Sequence, residues 1–374
     1  MRILMVDPYG GGGVAVFYRY LARCLSEAGH SADLYFCQSE DLLERSAYAY
    51  CEDVFTAPRH LVEVLYARRY DIVHATTDCV YAPFMVQRAI RRAGGGSRLV
   101  VTAHHRPTTA SFPVEEVDAV VAVSHETAEA VEQSWAQKAL VIPNGIDIRR
   151  FREASDGLTC LLKRPILGWV GRADDLSNKD VNGFLYLASA LIQEDYDFWV
   201  ADSTAVSTWP LRSAVDWFGE RLTCFHGLDL DSMPAFYRSV ERSGGAVLMT
   251  SRHEAAPLVL LEAWAAGCPT IVPDAPGFQE AIEGRASAAY SLTDGLPGLI
   301  ACVGRLRDDR YRAQLVDTAG QLVDKDHRLE LMGSGYIDLY RELLGGSRSK
   351  NHAMWHKLVN PWPLAYAMRR QFGH

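Results

Sequence analysis

Short runs of apolar residues, bounded by polar or glycine-rich turns, recur along the whole chain. In the first half Ile3–Val6, Ala32–Phe36, Ile72–His74, Leu99–Thr102, Ala119–Val123 and Ala139–Ile142 have this form. In the second half Ile166–Val170, Phe198–Ala201, Leu222–Phe225, Ala246–Met249 and Thr270–Val272 repeat it. The runs are continuous rather than alternating, which suits strands of a parallel sheet covered on both faces. Helical stretches such as Val14–Ala28 lie between several of them, and that alternation predicts an α/β architecture. After Ala289 the chain reads as helical to about Leu344, where Gly345-Gly346-Ser347 breaks the pattern. A length of 374 residues exceeds one ordinary core and suits two domains. Composition loosens over Arg152–Leu158, which reads as a linker.

One stretch, Ser251–Gly267, carries the most chemistry. Strand-like Ala246–Met249 delivers the chain to it and Thr270–Val272 takes it away. Pro257 suits a first helical turn, Leu258, Leu260 and Leu261 give an apolar stripe, and Gly267 can close the helix. A helix N-terminus offers N–H groups and a positive dipole end to a phosphate. Glu254 lies just before that end and Glu262 about two turns inside it. A phosphate site with a carboxylate on either side suggests a nucleotide-sugar. A capping carboxylate and a solvated mid-helix Glu are the plainer alternatives for such a pair.

Other candidates also stand at strand ends, where ligands of open α/β sheets gather. Gly10-Gly11-Gly12-Gly13 follows the first strand, and such a loop lets backbone approach a ligand. It lacks the Gly-Lys-Ser/Thr of a P-loop and the spacing of a dinucleotide fingerprint. His104 ends the strand Leu99–Thr102, and Ser124 reads as a helix cap. Pro143-Asn144-Gly145 is a turn, with Asp147 and Phe151 beyond it. Gly171-Arg172 follows Ile166–Val170, and Lys179 comes after an acidic spacer containing Asp174 and Asp175. Arg offers a planar fork to phosphate and Lys a point charge. Asp229-Leu230-Asp231 is formally a D-x-D, read here as a cap to the helix carrying Met233.

Together these segments resemble retaining glycosyltransferases of the GT-B fold, particularly glycosyltransferase family 4, over about residues 1–345. Glu254 and Glu262 match the family's E-x7-E signature, continued by Gly267-Cys268-Pro269-Thr270. Val101-Thr102-Ala103-His104 resembles its Thr-x-His, Pro143-Asn144-Gly145-Ile146-Asp147 its Pro-Asn-Gly turn, and Gly171-Arg172 with Lys179 its basic donor grip. The resemblance implies two Rossmann-like domains facing across a cleft. An acceptor-side domain would span 1–150, a linker 151–163 and a nucleotide-sugar domain 164–330. Helices in 331–374 would cross back to the first domain. It also implies transfer of a sugar from a nucleotide-diphosphate-sugar with retention, without a metal or further cofactor. Arg172, Lys179 and the backbone near Ala256 and Leu258 would meet the diphosphate. Glu254 would hold the donor sugar, Glu262 the ribose, His104 the acceptor side, and Gly11, Gly12 and Gly13 would face the donor. The acceptor would be a small molecule, a glycan or a lipid-linked sugar.

A formal charge of -8 argues against a general nucleic-acid binder. The eight Cys show no C-x-x-C or zinc spacing, which suits buried thiols in a reducing compartment. Arg2-Ile3-Leu4-Met5-Val6-Asp7 reads as a strand rather than a signal peptide, and no run approaches a membrane span, so a cytoplasmic enzyme is expected. Residues 347–374 hold Arg348, Lys350, Lys357, Arg369, Arg370, Trp355, Trp362 and Tyr366 without an acid. They read as a packed brace on the first domain, or as a peripheral membrane contact. A GT-B sugar-nucleotide epimerase and a noncatalytic sugar-nucleotide-binding protein are rival readings. An NAD-binding dehydrogenase would leave Glu254 and Glu262 without a role.

Overall fold

The structure is a computed structural model that describes residues 1–7, 12–39, 48–57, 59–76, 82–105, 117–135, 139–153, 164–204, 209–228, 230–283 and 286–345. The first half contains β1 (Arg2–Asp7), α1 (Gly12–Glu27), β2 (Ser31–Ser39), β3 (Val54–Ala57), α2 (Leu61–Ala67), β4 (Ile72–Thr76) and α3 (Ala82–Arg92). It continues with β5 (Arg98–Ala103), β6 (Ala119–Ala122), α4 (His125–Trp135), β7 (Leu140–Val141) and α5 (Ile148–Arg152). The second half runs β8 (Ile166–Gly171), α6 (Val181–Ala190), β9 (Asp197–Asp202), α7 (Trp209–Phe218), β10 (Leu222–His226), α8 (Met233–Arg242), β11 (Ala246–Leu248) and α9 (Leu258–Ala265). It ends with β12 (Thr270–Pro273), α10 (Phe278–Ile282), β13 (Ala288–Tyr290), α11 (Gly295–Arg305), α12 (Asp309–Asp326) and α13 (Leu329–Leu344).

Two parallel sheets result, in the orders β3-β2-β1-β4-β5-β6-β7 and β10-β9-β8-β11-β12-β13. The apolar runs are continuous because each strand buries both faces. In β1, Ile3 and Met5 join one core cluster and Leu4 and Val6 another. In β11, Val247 faces the cluster shared with the first half, while Ala246 and Leu248 face the outer core of the second sheet. The sequence reading missed β3 and β13, the outermost strands at one end of each sheet. Thr56 interrupts Val54–Ala57, and Ala288–Tyr290 is a short run, mostly alanine, between Ser287 and Ser291, so neither stands out as an apolar run.

α13 is the last helix among the described residues and follows the second sheet, yet it packs on α1 of the first half. Gly333 makes this possible: a Cβ there would stand 2.6 Å from Cys24 Sγ. Tyr336 and Tyr340 reach through to the sheet. Buried His74 on β4 bonds Tyr340 Oη through Nδ1 at 2.6 Å and Thr102 Oγ1 through Nε2 at 2.7 Å, and Tyr336 Oη meets Thr102 Oγ1 at 3.0 Å. Burial, with His104 nearby, pushes the His74 imidazole down to about 3, so it stays neutral.

Among the described residues the chain therefore crosses between the domains twice, and the crossings run side by side. Ile146 N donates to His327 O at 3.0 Å and Leu329 N donates to Ile146 O at 3.1 Å. Gly145 backs onto Arg328, where a Cβ would lie 2.7 Å from the carbonyl oxygen. Of the expected linker, α5 is helical through Arg152, and residues 154–163 lie outside the described residues. Residues 347–374 and Gly11 lie outside them as well. No helix among the described residues is long and apolar enough to cross a membrane.

Candidate active site

The strand order of the second sheet reverses between β8 and β11, whose other neighbours are β9 and β12. Ligands of open α/β sheets bind at the carboxyl ends of the strands flanking such a reversal. Here those ends carry Arg172, after β8, and the Glu254 loop, after β11.

The two loops are stitched together. Asn178 O accepts from Arg252 N at 2.9 Å, and Asn178 Oδ1 accepts from His253 N at 3.0 Å. Thr250 Oγ1 lies 2.8 Å from both Lys179 O and Asp180 O, and it accepts from buried Trp169 Nε1 at 2.9 Å. The acidic spacer is thus a folded turn, closed by Asn178 N on Asp175 Oδ1 at 3.1 Å and Lys179 N on Asp175 O at 2.9 Å. Its product is a direct ion pair between Lys179 Nζ and Glu254 Oε1, with the Glu254 side chain only 14% exposed. Residues 75 apart in sequence, each assigned to the donor separately, are held in contact.

Arg172 is placed differently. Its guanidinium, more than half exposed, forks onto Asp174 at 3.1 and 3.3 Å rather than onto Glu254. The backbone beneath it is fixed by buried Asp202, whose Oδ1 accepts from Ala173 N at 3.1 Å. Sequence reading missed Asp202 and Asn178. The Asp that closes the apolar run Phe198–Ala201 was the available sign for the first, and none marked the second.

α9 leaves this loop with its N-terminus toward Glu254. Pro257 sits one residue before the helix, as its N-cap, and offers no side-chain cap. At the other end Cys268 N donates to Ala263 O and Gly267 N to Trp264 O, with Gly267 at φ +73, a left-handed close to the helix. Glu262 points into the molecule rather than toward Lys179. It is 5% exposed and accepts from Tyr237 Oη at 2.7 Å. Burial pushes its carboxyl up to about 7, against the opposing pull of the Tyr237 hydrogen bond and the Arg150 charge. Tyr20 of α1 lies in the same cluster, its hydroxyl buried without a hydrogen-bond partner among the described residues.

The first domain comes to the same helix from across the cleft. A Cβ on Gly13 would be 3.7 Å from Leu258 Cδ1, so the start of α1 faces the start of α9. Asn144, from the Pro-Asn-Gly turn, donates through Nδ2 to Ala256 O at 3.2 Å. Gly12, Gly13, Ala256 and Leu258 are thus gathered at one end of the cleft. His104 lies against Phe17 of α1, ring centroids 4.6 Å apart. Ser124 caps α4, accepting from Thr127 N at 3.2 Å. Asp231 does not cap: the helix starts at Met233 after Ser232, and Asp231 pairs with Arg150 instead. Asp229 lies outside the described residues.

Residues 11–150 match the family model Glycosyltransferase Family 4, and residues 164–295 match Glycosyl transferases group 1. No curated protein matches the sequence. Among solved structures, a sucrose-phosphate synthase from Thermosynechococcus elongatus superposes with a TM-score of 0.76 at 17% identity, covering 93% of this chain and 100% of that one. Anabaena HepE in complex with UDP-glucose gives 0.73 at 18% identity, covering 91% and 99%. A glycosyltransferase from Rickettsia africae gives 0.73 at 17%, covering 92% and 99%. These likenesses show the fold, two parallel-sheet α/β domains of GT-B type. With the two family models spanning both halves, the chain is a GT-B glycosyltransferase resembling glycosyltransferase family 4.

Proposed function

We propose that this glycosyltransferase moves a sugar from a nucleotide-diphosphate donor to an acceptor hydroxyl with retention at the anomeric carbon. The observation that carries the reading is the Lys179–Glu254 pair, held at the strand reversal beside the N-terminus of α9. In the reaction the bond from the anomeric carbon to the diphosphate oxygen breaks and a bond to the acceptor oxygen forms on the same face. The acceptor proton passes to the departing phosphate. Negative charge grows on the diphosphate, so groups fixed there stabilise the transition state more than the ground state. Lys179 supplies a positive charge and α9 its dipole end. Arg172 reaches the phosphates by exchanging Asp174 for them, which its exposure allows. Glu254 holds donor-sugar hydroxyls, with Lys179 fixing its rotamer. Glu262 serves the ribose by exchanging its Tyr237 hydrogen bond for a ribose hydroxyl. His104 supports the acceptor side, against Phe17.

No metal is needed in this scheme, because the cationic side chains and helix amides meet the developing charge, and a chelator is expected to leave the rate unchanged. HepE was solved with UDP-glucose, which makes uridine donors the first to try. The test is a thermal-shift screen of UDP-, GDP- and dTDP-sugars. A donor at a hundredfold its dissociation constant should stabilise the fold by roughly 2.7 kcal/mol. No shift with any nucleotide-sugar would reject the reading.

A further inference from the structure

The first turn of α4 exposes backbone amides that need acceptors. Ser124 Oγ takes the amide of Thr127. The amides of His125 and Glu126 are taken from the other domain: they donate to Glu280 Oε1 at 2.7 Å and Oε2 at 2.9 Å. One carboxylate of α10 thus sits across the positive end of a first-domain helix, an oxygen to each amide. A second contact joins α4 to the second domain. Glu126 Oε1 lies 3.5 Å from His253 Nε2, and His253 immediately precedes Glu254.

The two second-domain contacts are also fixed to one another. Gly277 opens α10 with φ +82, and a Cβ there would stand 1.6 Å from Glu254 O. Only glycine fits so close to the carbonyl at that backbone angle. Any shift of α10 must therefore move the Glu254 loop with it. A closed circuit results, from Glu254 through Gly277 and Glu280 to α4, and back through Glu126 and His253.

We propose that Glu280 is the clasp of the cleft: its carboxylate, docked on the first turn of α4, holds the two domains closed and sets the Glu254 loop against the first domain. The clasp stands on geometry alone. It rests on the proposed donor chemistry only for the role of the loop it holds.

The test uses the full chain without ligand. In Glu280→Ala, exchange at the His125 and Glu126 amides should quicken about tenfold or more, the loss expected for hydrogen bonds to a charged acceptor. The radius of gyration from small-angle scattering should rise, while amides of β5 and β11 keep their protection. Glu280→Gln retains one acceptor oxygen and should fall between the two proteins on both readouts. Should the Ala variant fail to fold, the Gln variant carries the same measurements. Faster exchange with an unchanged scattering profile would make Glu280 a local cap and overturn the clasp, as would unchanged exchange. Binding of UDP to native protein is measured separately by calorimetry. Its failure would strike the uridine donor and leave the clasp result standing.

Discussion

Lys179 and Glu254 protect each other's charge in a setting that is mostly shielded from water. Removing either leaves the other partly buried without its partner, a larger loss than the mutual attraction alone. Lys179→Ala should therefore lower both turnover and melting temperature. Arg172→Ala, whose partner Asp174 is solvated, should lower turnover alone. Each should reduce the rate by about 10²–10³-fold, the range for losing one preorganised transition-state donor. Turnover near native in both variants would remove them from the site. Glu254→Gln should impair transfer more than the affinity for free UDP, since the residue is assigned to the sugar; calorimetric titration of the variant decides.

Glu262 gives a prediction in pH. Its carboxyl, raised from 4.5 to about 7, binds its proton more tightly in the folded chain than in the unfolded one. Its contribution to stability is complete below the unfolded value and is lost as pH rises through about 7. Glu262→Gln removes that titration. Melting curves of the variant should fall less than native between roughly pH 5 and pH 8, by on the order of 1–3 kcal/mol. Parallel pH profiles would show that the carboxylate stays ionised throughout. Glu262, Glu254 and Lys179 were each legible in the sequence as candidates. Their relations were not, because the Asn178 stitch that brings Lys179 to Glu254 joins two loops distant along the chain. The burial of Glu262 was equally hidden, since a mid-helix glutamate reads the same whether it faces water or Tyr237.

Among elements, the long inner strands were readable because burial on both faces writes an unbroken apolar run. The ends of α9 were readable in part. Gly267 closes the helix as its position suggests, while Pro257 stands one residue earlier than a first-turn proline. α13 shows what periodicity conceals. Its apolar stripe marks a helix but not the surface it covers, and that surface belongs to the other domain. Tyr340→Phe tests the attachment. It removes the hydroxyl from buried His74 Nδ1 and should cost about 1–3 kcal/mol, seen in the denaturant midpoint at unchanged slope. Gly333→Ala should destabilise by a similar amount, about 1–3 kcal/mol, by forcing α13 off Cys24 of α1. A variant as stable as native would mean that the helices shift apart without loss.

At the scale of the whole molecule, the two-domain plan followed from length and strand rhythm, while the closed arrangement rests on single contacts such as Asn144 to Ala256 that no local pattern announces. The aromatic, basic segment 347–374 is expected to pack as a brace. Truncation after Gly346 should then lower the melting temperature in lipid-free buffer. An unchanged melting temperature, with binding to anionic vesicles lost, would assign the segment to a membrane surface instead.

The return of α13 to the first sheet also bears on how the molecule is made. Synthesis proceeds from the N-terminus at about 5–20 residues per second. The first sheet is therefore complete in sequence long before residues 329–344 leave the ribosome. Until then Phe17 and His74 lack the aromatic cover of Tyr336 and Tyr340. The nascent first half waits with an apolar face open, a state in which chaperones are engaged and aggregation begins. A fragment ending at residue 150 should accordingly be poorly soluble when made alone, and supplying residues 329–344 as a separate peptide should recover it. In that case α13 is the signal that synthesis has gone far enough for the first domain to settle.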